Sequence, residues 1–200
     1  MSQRIVIVNT GCANISSVRF ALERLGVSVE VSAQENVITA ADKVFLPGVG
    51  TASAAMQSIL QKKLAPTLQE LTQPVLGVCL GMQLMVSTSA ESSAGEIDCL
   101  KLMPGAVKRM QANGQRLPHM GWNTVNSVAE NPLFAGIDDG TYFYFVHSFA
   151  VPVYEHTLAS CEYGQPFSAA IGHNNFYGVQ FHPERSGDAG AQLLTNFVNM

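Results

Sequence analysis

Cys79 stands between two glycines in the stretch Val75-Leu76-Gly77-Val78-Cys79-Leu80-Gly81-Met82-Gln83. Gly-x-Cys-x-Gly is the thiol form of the nucleophile elbow, a strained turn from a strand into a helix. The glycines let neighbouring backbones approach without Cβ clashes. The turn lifts the sulfur out of the core and sets it at a helix N-terminus, where the dipole favours the nucleophilic thiolate. A lone cysteine is more often a small buried apolar residue. The elbow alone therefore leaves both readings open, and a nucleophile needs a base from elsewhere in the chain.

His182-Pro183-Glu184 supplies that base. A strand-like run, Phe176 to Phe181, ends just before it, and the proline stiffens the turn. Glu184 would hold one imidazole nitrogen so that the other faces the thiol. Acyl transfer also needs an oxyanion hole. One donor is the N–H of Leu80, directly after the nucleophile. Pro47-Gly48-Val49-Gly50 offers a second at a neighbouring strand end, the N–H of Val49. A plain strand-to-helix turn is the other reading of that loop.

These residues require a particular scaffold. Ile5-Val6-Ile7-Val8, Val27 to Val31, Lys43 to Leu46 and Val75 to Val78 read as short, largely buried strands. Helices over residues near 18–25, 51–60, 66–71 and 80–86 alternate with them. The alternation predicts an α/β fold: an open, mostly parallel sheet with helices on both faces. Strand candidates at residues 106–110, 123–128, 141–146, 158–161 and 169–171 predict an antiparallel section in the C-terminal half. Gly172-His173-Asn174-Asn175 reads as a hairpin turn, and Gly187 and Asp188 open a last helix. Ser87 to Glu96 reads as a surface loop. Pro118-His119-Met120-Gly121-Trp122-Asn123 reads as a turn, or as a Gly-bearing loop whose Trp anchors a partner.

Composition sets outer bounds. Two hundred residues, 47% apolar and 13% charged, fit one domain over 1–200 with a sizeable core and a sparsely charged surface. A net charge of −4 without a basic run argues against nucleic acid. Met-Ser-Gln-Arg leads straight into a strand, without a signal peptide, and no apolar run is long enough for a membrane span. The cysteines at 12, 79, 99 and 161 lack paired-ligand spacing, so no metal site is expected. Reduced thiols and a cytoplasmic protein are the expectation.

With these pieces assembled, the chain resembles the class I glutamine amidotransferases of the triad type. Gly77 to Gln83 and Phe181-His182-Pro183-Glu184 match the motifs of that family. More narrowly, it is similar to the glutaminase subunits of imidazole glycerol phosphate synthase. That likeness rests on Leu46-Pro47-Gly48-Val49-Gly50, Pro118-His119-Met120-Gly121-Trp122-Asn123, Tyr144-Phe145-Val146-His147-Ser148 and His182-Pro183-Glu184-Arg185-Ser186, in the family's order along nearly the whole chain. The first turn, Asn9-Thr10-Gly11-Cys12-Ala13-Asn14, keeps only one Gly and the last Asn of a common family pattern. Phe149 stands where Tyr is common.

The resemblance implies Cys79, His182 and Glu184 as the triad, without a cofactor. It implies Gly48, Gln83, Ser148 and Phe149 as glutamine contacts, and Trp122, Tyr144 and Arg185 at a partner face. The partner would be a (β/α)8-barrel cyclase subunit that receives ammonia in histidine biosynthesis. No phosphate-loop motif offers an acceptor site on this chain. A glutaminase subunit of another synthase, such as anthranilate synthase, a stand-alone cysteine hydrolase, and a non-catalytic interaction protein with a vestigial elbow are the competing readings, the last disfavoured by the intact Cys79, His182 and Glu184.

Overall fold

The computed structural model describes residues 3–11, 13–93, 95–111 and 113–200. Cys12, in the first turn, lies outside them. In chain order the strands are β1 Ile5–Val8, β2 Val29–Ser32, β3 Lys43–Gly48, β4 Val75–Cys79, β5 Thr88–Ser89, β6 Ile97–Asp98 and β7 Ala106–Arg109. They continue with β8 His119–Ser127, β9 Thr141–His147, β10 Phe149–Ala150, β11 Thr157–Tyr163, β12 Gln165–His173 and β13 Phe176–Val179. The helices are α1 Ile15–Arg24, α2 Glu35–Thr39, α3 Ala52–Gln61, α4 Leu64–Gln69, α5 Leu80–Met85 and α6 Gly187–Asn199.

The main sheet runs β2-β1-β3-β4-β13-β12-β11-β8-β9. Pairing is parallel from β2 through β13 and antiparallel from β13 through β9. β1 shows why the parallel half forms. Its four residues are β-branched and buried, Ile5 and Ile7 toward α1 and α6, Val6 and Val8 toward α2, α3 and α4. The elbow strand β4 lies between β3 and β13. Gly48 is opposite Cys79, and Val179 is opposite Val78. Cys79 and the His182 loop thus leave adjacent strands at their carboxyl ends, where open α/β sheets bind ligands. A smaller sheet, β10-β7-β5-β6, is hydrogen-bonded separately from this one.

Three sequence expectations need correction. Pro118 to Asn123 is not a loop: from His119 it is the first half of β8, paired residue for residue with β9. Ser87 to Glu96 is not wholly surface: it contains β5, and Ser89 there is fully buried. The expected turn at Pro47 is strand through Gly48. Proline is tolerated there because the β1 ladder stops at Phe45, so no hydrogen bond on that side is lost.

Candidate active site

Cys79 adopts φ 54°, ψ −112°, a positive φ that non-glycine residues rarely take. The flanking glycines make this possible by close approach. A Cβ on Gly77 would come within 2.7 Å of the Met82 nitrogen, and one on Gly81 would overlap the Leu46 carbonyl oxygen. Gly48 is small for the same reason, with Gly81 N 2.9 Å from where its Cβ would stand. Gly50, at φ +91°, is the member of that loop in the left-handed region.

The three predicted triad residues come together from the ends of two strands. His182 Nδ1 lies 2.8 Å from Glu184 Oε1, and both side chains are buried. The other nitrogen, Nε2, is buried without a hydrogen-bond partner among the described residues. Burial disfavours the imidazolium, but the Cys79 sulfur and the Glu184 carboxylate outweigh it and raise His182 to about 10. A protonated His182 beside Sγ is the partner that a thiolate needs. Sγ also sits 4.0 Å from the Val146 carbonyl and 3.8 Å from Gln180 Nε2.

These groups open into a cavity of about 310 Å³. Asn14, Val49, Leu80, Gln83, Ser148 and Phe149 line it with Cys79 and His182. The predicted oxyanion and glutamine-contact residues are thus brought together, except Gly48, which lies behind Val49 against the elbow. Two of the predicted contacts are constrained. Gln83 Nε2 donates to the Phe149 carbonyl (2.9 Å) and to Gln180 Oε1 (2.8 Å), so only its Oε1 is left for a ligand. The Ser148 carbonyl accepts from Met110 N–H at 3.0 Å.

Two residues escaped the sequence reading. Glu91 brings a carboxylate to the cavity wall, where Oε2 accepts the Ala52 N–H at 3.2 Å and burial pushes its pKa up. Gln180 is fully buried between Gln83 and Sγ. Its position two residues before His182 on the β13 side was the available signal.

The predicted partner residues form one outer patch. Trp122 is 54% exposed and meets the Tyr144 ring edge-on at 6.0 Å, and Arg185 lies 5.9 Å over Tyr144. Met120 and Tyr142 are exposed beside them. The patch is laced to His182. His182 N–H donates to the Tyr144 carbonyl at 2.8 Å, and Tyr144 N–H donates to Ser186 Oγ at 3.0 Å. Ser186 Oγ in turn donates to the His182 carbonyl at 2.6 Å.

His119 and His147 are also buried, and desolvation pushes them down to about 4 and about 3. Both values lie below that of an exposed histidine, so the unfolded chain takes up protons first. The stability they support is complete above about pH 6.5 and is lost as pH falls toward 4 and then 3, at about 1.4 kcal/mol per unit for each. The raised value of His182 does not offset this, because its contribution is already complete below about pH 6.5. Urea unfolding midpoints are therefore expected to drop steadily between about pH 6.5 and pH 4. A flat profile would show that these rings are not buried and neutral.

Residues 6–200 match the family described as Glutamine amidotransferase class-I. The imidazole glycerol phosphate synthase subunit HisH of Vibrio cholerae is 56% identical over 203 residues, covering all of both chains. Its counterpart in Idiomarina loihiensis is 56% identical over 196 residues, covering 98% of this chain and 97% of that one. Among solved structures, PurLQS from Thermotoga maritima shares the fold at a TM-score of 0.74 and 17% identity, covering 100% of this chain and 99% of that one. The family model spans nearly the whole chain and these relatives match it end to end, and the chain belongs to the class I glutamine amidotransferases.

Proposed function

We propose that the chain, acting as a single domain, hydrolyses the side-chain amide of glutamine at Cys79 and passes the ammonia to the partner subunit of an imidazole glycerol phosphate synthase. The observation that carries this reading is the left-handed Cys79 elbow set beside a His182 held by Glu184 at 2.8 Å. Sγ attacks the amide carbon, and the Leu80 and Val49 N–H groups take the oxyanion. The C–N bond breaks as His182 gives its Nε2 proton to the departing nitrogen. A water then loses a proton to His182 and attacks the thioester, releasing glutamate and restoring the thiol. The Gln83 Oε1 and the Glu91 carboxylate suit the substrate's α-ammonium, and the cavity size suits a small amino acid.

The partner is a (β/α)8-barrel cyclase that forms imidazole glycerol phosphate and an aminoimidazole carboxamide ribotide in histidine biosynthesis. Two features support an acceptor on another chain: no phosphate-loop motif here, and the aromatic patch of Trp122 and Tyr144 near the triad. No helix among the described residues is long and apolar enough to cross a membrane. Trp122→Ala is expected to weaken subunit association by about 2 kcal/mol or more, read by calorimetric titration, without unfolding the chain. An unchanged Kd would remove Trp122 from the interface.

Glutamate release by the chain alone, with the cyclase, and with cyclase plus nucleotide tests the whole reading. Slow release alone and acceleration by the cyclase, further increased by nucleotide, are expected. Equal rates in all three would refute a subunit dependent on its partner.

A further inference from the structure

The inward face of β8 carries a hydrogen-bonded chain that the proposed reaction does not use. β8 and β9 pair so that His119 stands opposite His147. His147 Nδ1 is 2.8 Å from the Phe149 carbonyl oxygen, and its Nε2 is 3.0 Å from His119 Nδ1. His119 Nε2 is 3.2 Å from Asn123 Nδ2. The ends of the chain fix every donor. A carbonyl oxygen only accepts, so His147 carries its proton on Nδ1. In the neutral ring Nε2 is then an acceptor, so His119 donates from Nδ1. His119 Nε2 accepts in turn from the Asn123 amide, whose Oδ1 is fixed as acceptor by the Thr124 N–H at 2.8 Å. Burial keeps both rings neutral, as this order requires. His119 is further fixed by stacking on Tyr163 at 4.0 Å and Phe145 at 4.8 Å between ring centroids.

The chain ends in the cavity wall. The Phe149 carbonyl receives His147 on one side and Gln83 on the other, and Gln83 also holds Gln180, whose amide reaches Cys79 Sγ. We propose that His119 and His147 are positioning residues for the glutamine subsite. Through the Phe149 carbonyl they set the orientation of Gln83, and they tie that wall to the strand whose outer face presents Met120 and Trp122. This rests on the glutaminase reading of the cavity. Without His119, the Nε2 of His147 has no donor, the ring is free to change tautomer, and Phe149 loses its fixed partner. Gln83 then keeps its bond to Gln180 but has a less fixed carbonyl to meet on the Phe149 side.

Two electrophiles separate this role from the triad's. Iodoacetamide reports the Cys79 thiol and its base. A diazoketone analogue of glutamine reports the thiol together with the glutamine subsite. The experiment uses the full chain in complex with its cyclase. His119→Phe keeps the stacked ring and deletes both nitrogens. It is expected to slow labelling by the analogue, and to raise the KM for glutamine, by about tenfold, with iodoacetamide labelling of Cys79 within about twofold of wild type. His119→Asn places an amide nitrogen where Nδ1 stood and is expected to recover most of the loss. Wild-type KM and analogue labelling in His119→Phe would overturn the proposal. An equal loss with both electrophiles would also overturn it, as general damage to the triad. If the analogue does not label Cys79 in the wild-type chain, the glutaminase reading itself fails. Nitrogen-15 NMR of the wild-type imidazoles needs no variant. Both rings are expected to be neutral with the proton on Nδ1, and a proton on Nε2 of His147 would overturn the relay.

Discussion

Cys79→Ser is expected to lose glutamine hydrolysis by a factor on the order of 10⁴–10⁶ while the fold stays intact. An alcohol is a far weaker nucleophile at neutral pH than a thiol paired with a base. His182 is protonated here in part because of the sulfur beside it, so replacing sulfur with oxygen also lowers the proton affinity of the base. The variant should nevertheless fold, because serine is no larger than cysteine and the close contacts at the elbow belong to Gly77 and Gly81 rather than to the thiol. Glutamate release by the complex, measured beside a urea unfolding curve, gives both quantities. Activity above about one per cent of wild type would remove Cys79 as the nucleophile.

Gly81→Ala should fail in a different way. Alanine is the better helix former, and Gly81 lies in α5, so propensity alone predicts a gain. The structure predicts the opposite, because the added Cβ would occupy the place of the Leu46 carbonyl oxygen. That carbonyl belongs to β3, a central strand paired with β4, and neither backbone can retreat without opening the sheet. A loss of more than about 4 kcal/mol is expected, enough to leave much of the chain unfolded given typical domain stabilities. Gly140→Ala is the control. It has the left-handed backbone, φ +80°, but open space around its Cβ, and should cost about 1–2 kcal/mol. Equal unfolding midpoints for the two variants would show that the elbow is not set by this contact.

The parallel half of the fold and the grouping of Cys79, His182 and Glu184 were legible because their signals are local. Four β-branched residues in β1, the Gly-x-Cys-x-Gly spacing and His182-Pro183-Glu184 each identify themselves within a few positions. The rest depends on which strands meet. His119 became legible only when β8 paired with β9. Its neighbours Pro118 and Gly121 punctuate the sequence like a loop, yet Gly121 continues the strand at φ +128°. Glu91 lies in a polar stretch that resembles any exposed loop, and nothing in its neighbours indicates that it lines the cavity of Cys79. α2 has five residues, too few for a periodic apolar pattern to show.

The Ser186 bridge has a consequence for redesigning the choice of partner. Tyr144 shows its ring to the outside while its N–H and C=O are committed to Ser186 and His182. On the proposed reading, a substitution that tilts this residue to suit a new partner subunit would carry the His182 imidazole with it, so pairing preference and turnover would not be tuned separately at that position. Met120 and Trp122 sit on the neighbouring strand, and Trp122 meets Tyr144 through its ring rather than through the backbone that holds His182. An orthogonal subunit pair, built to run beside the native one without cross-talk, is best encoded there.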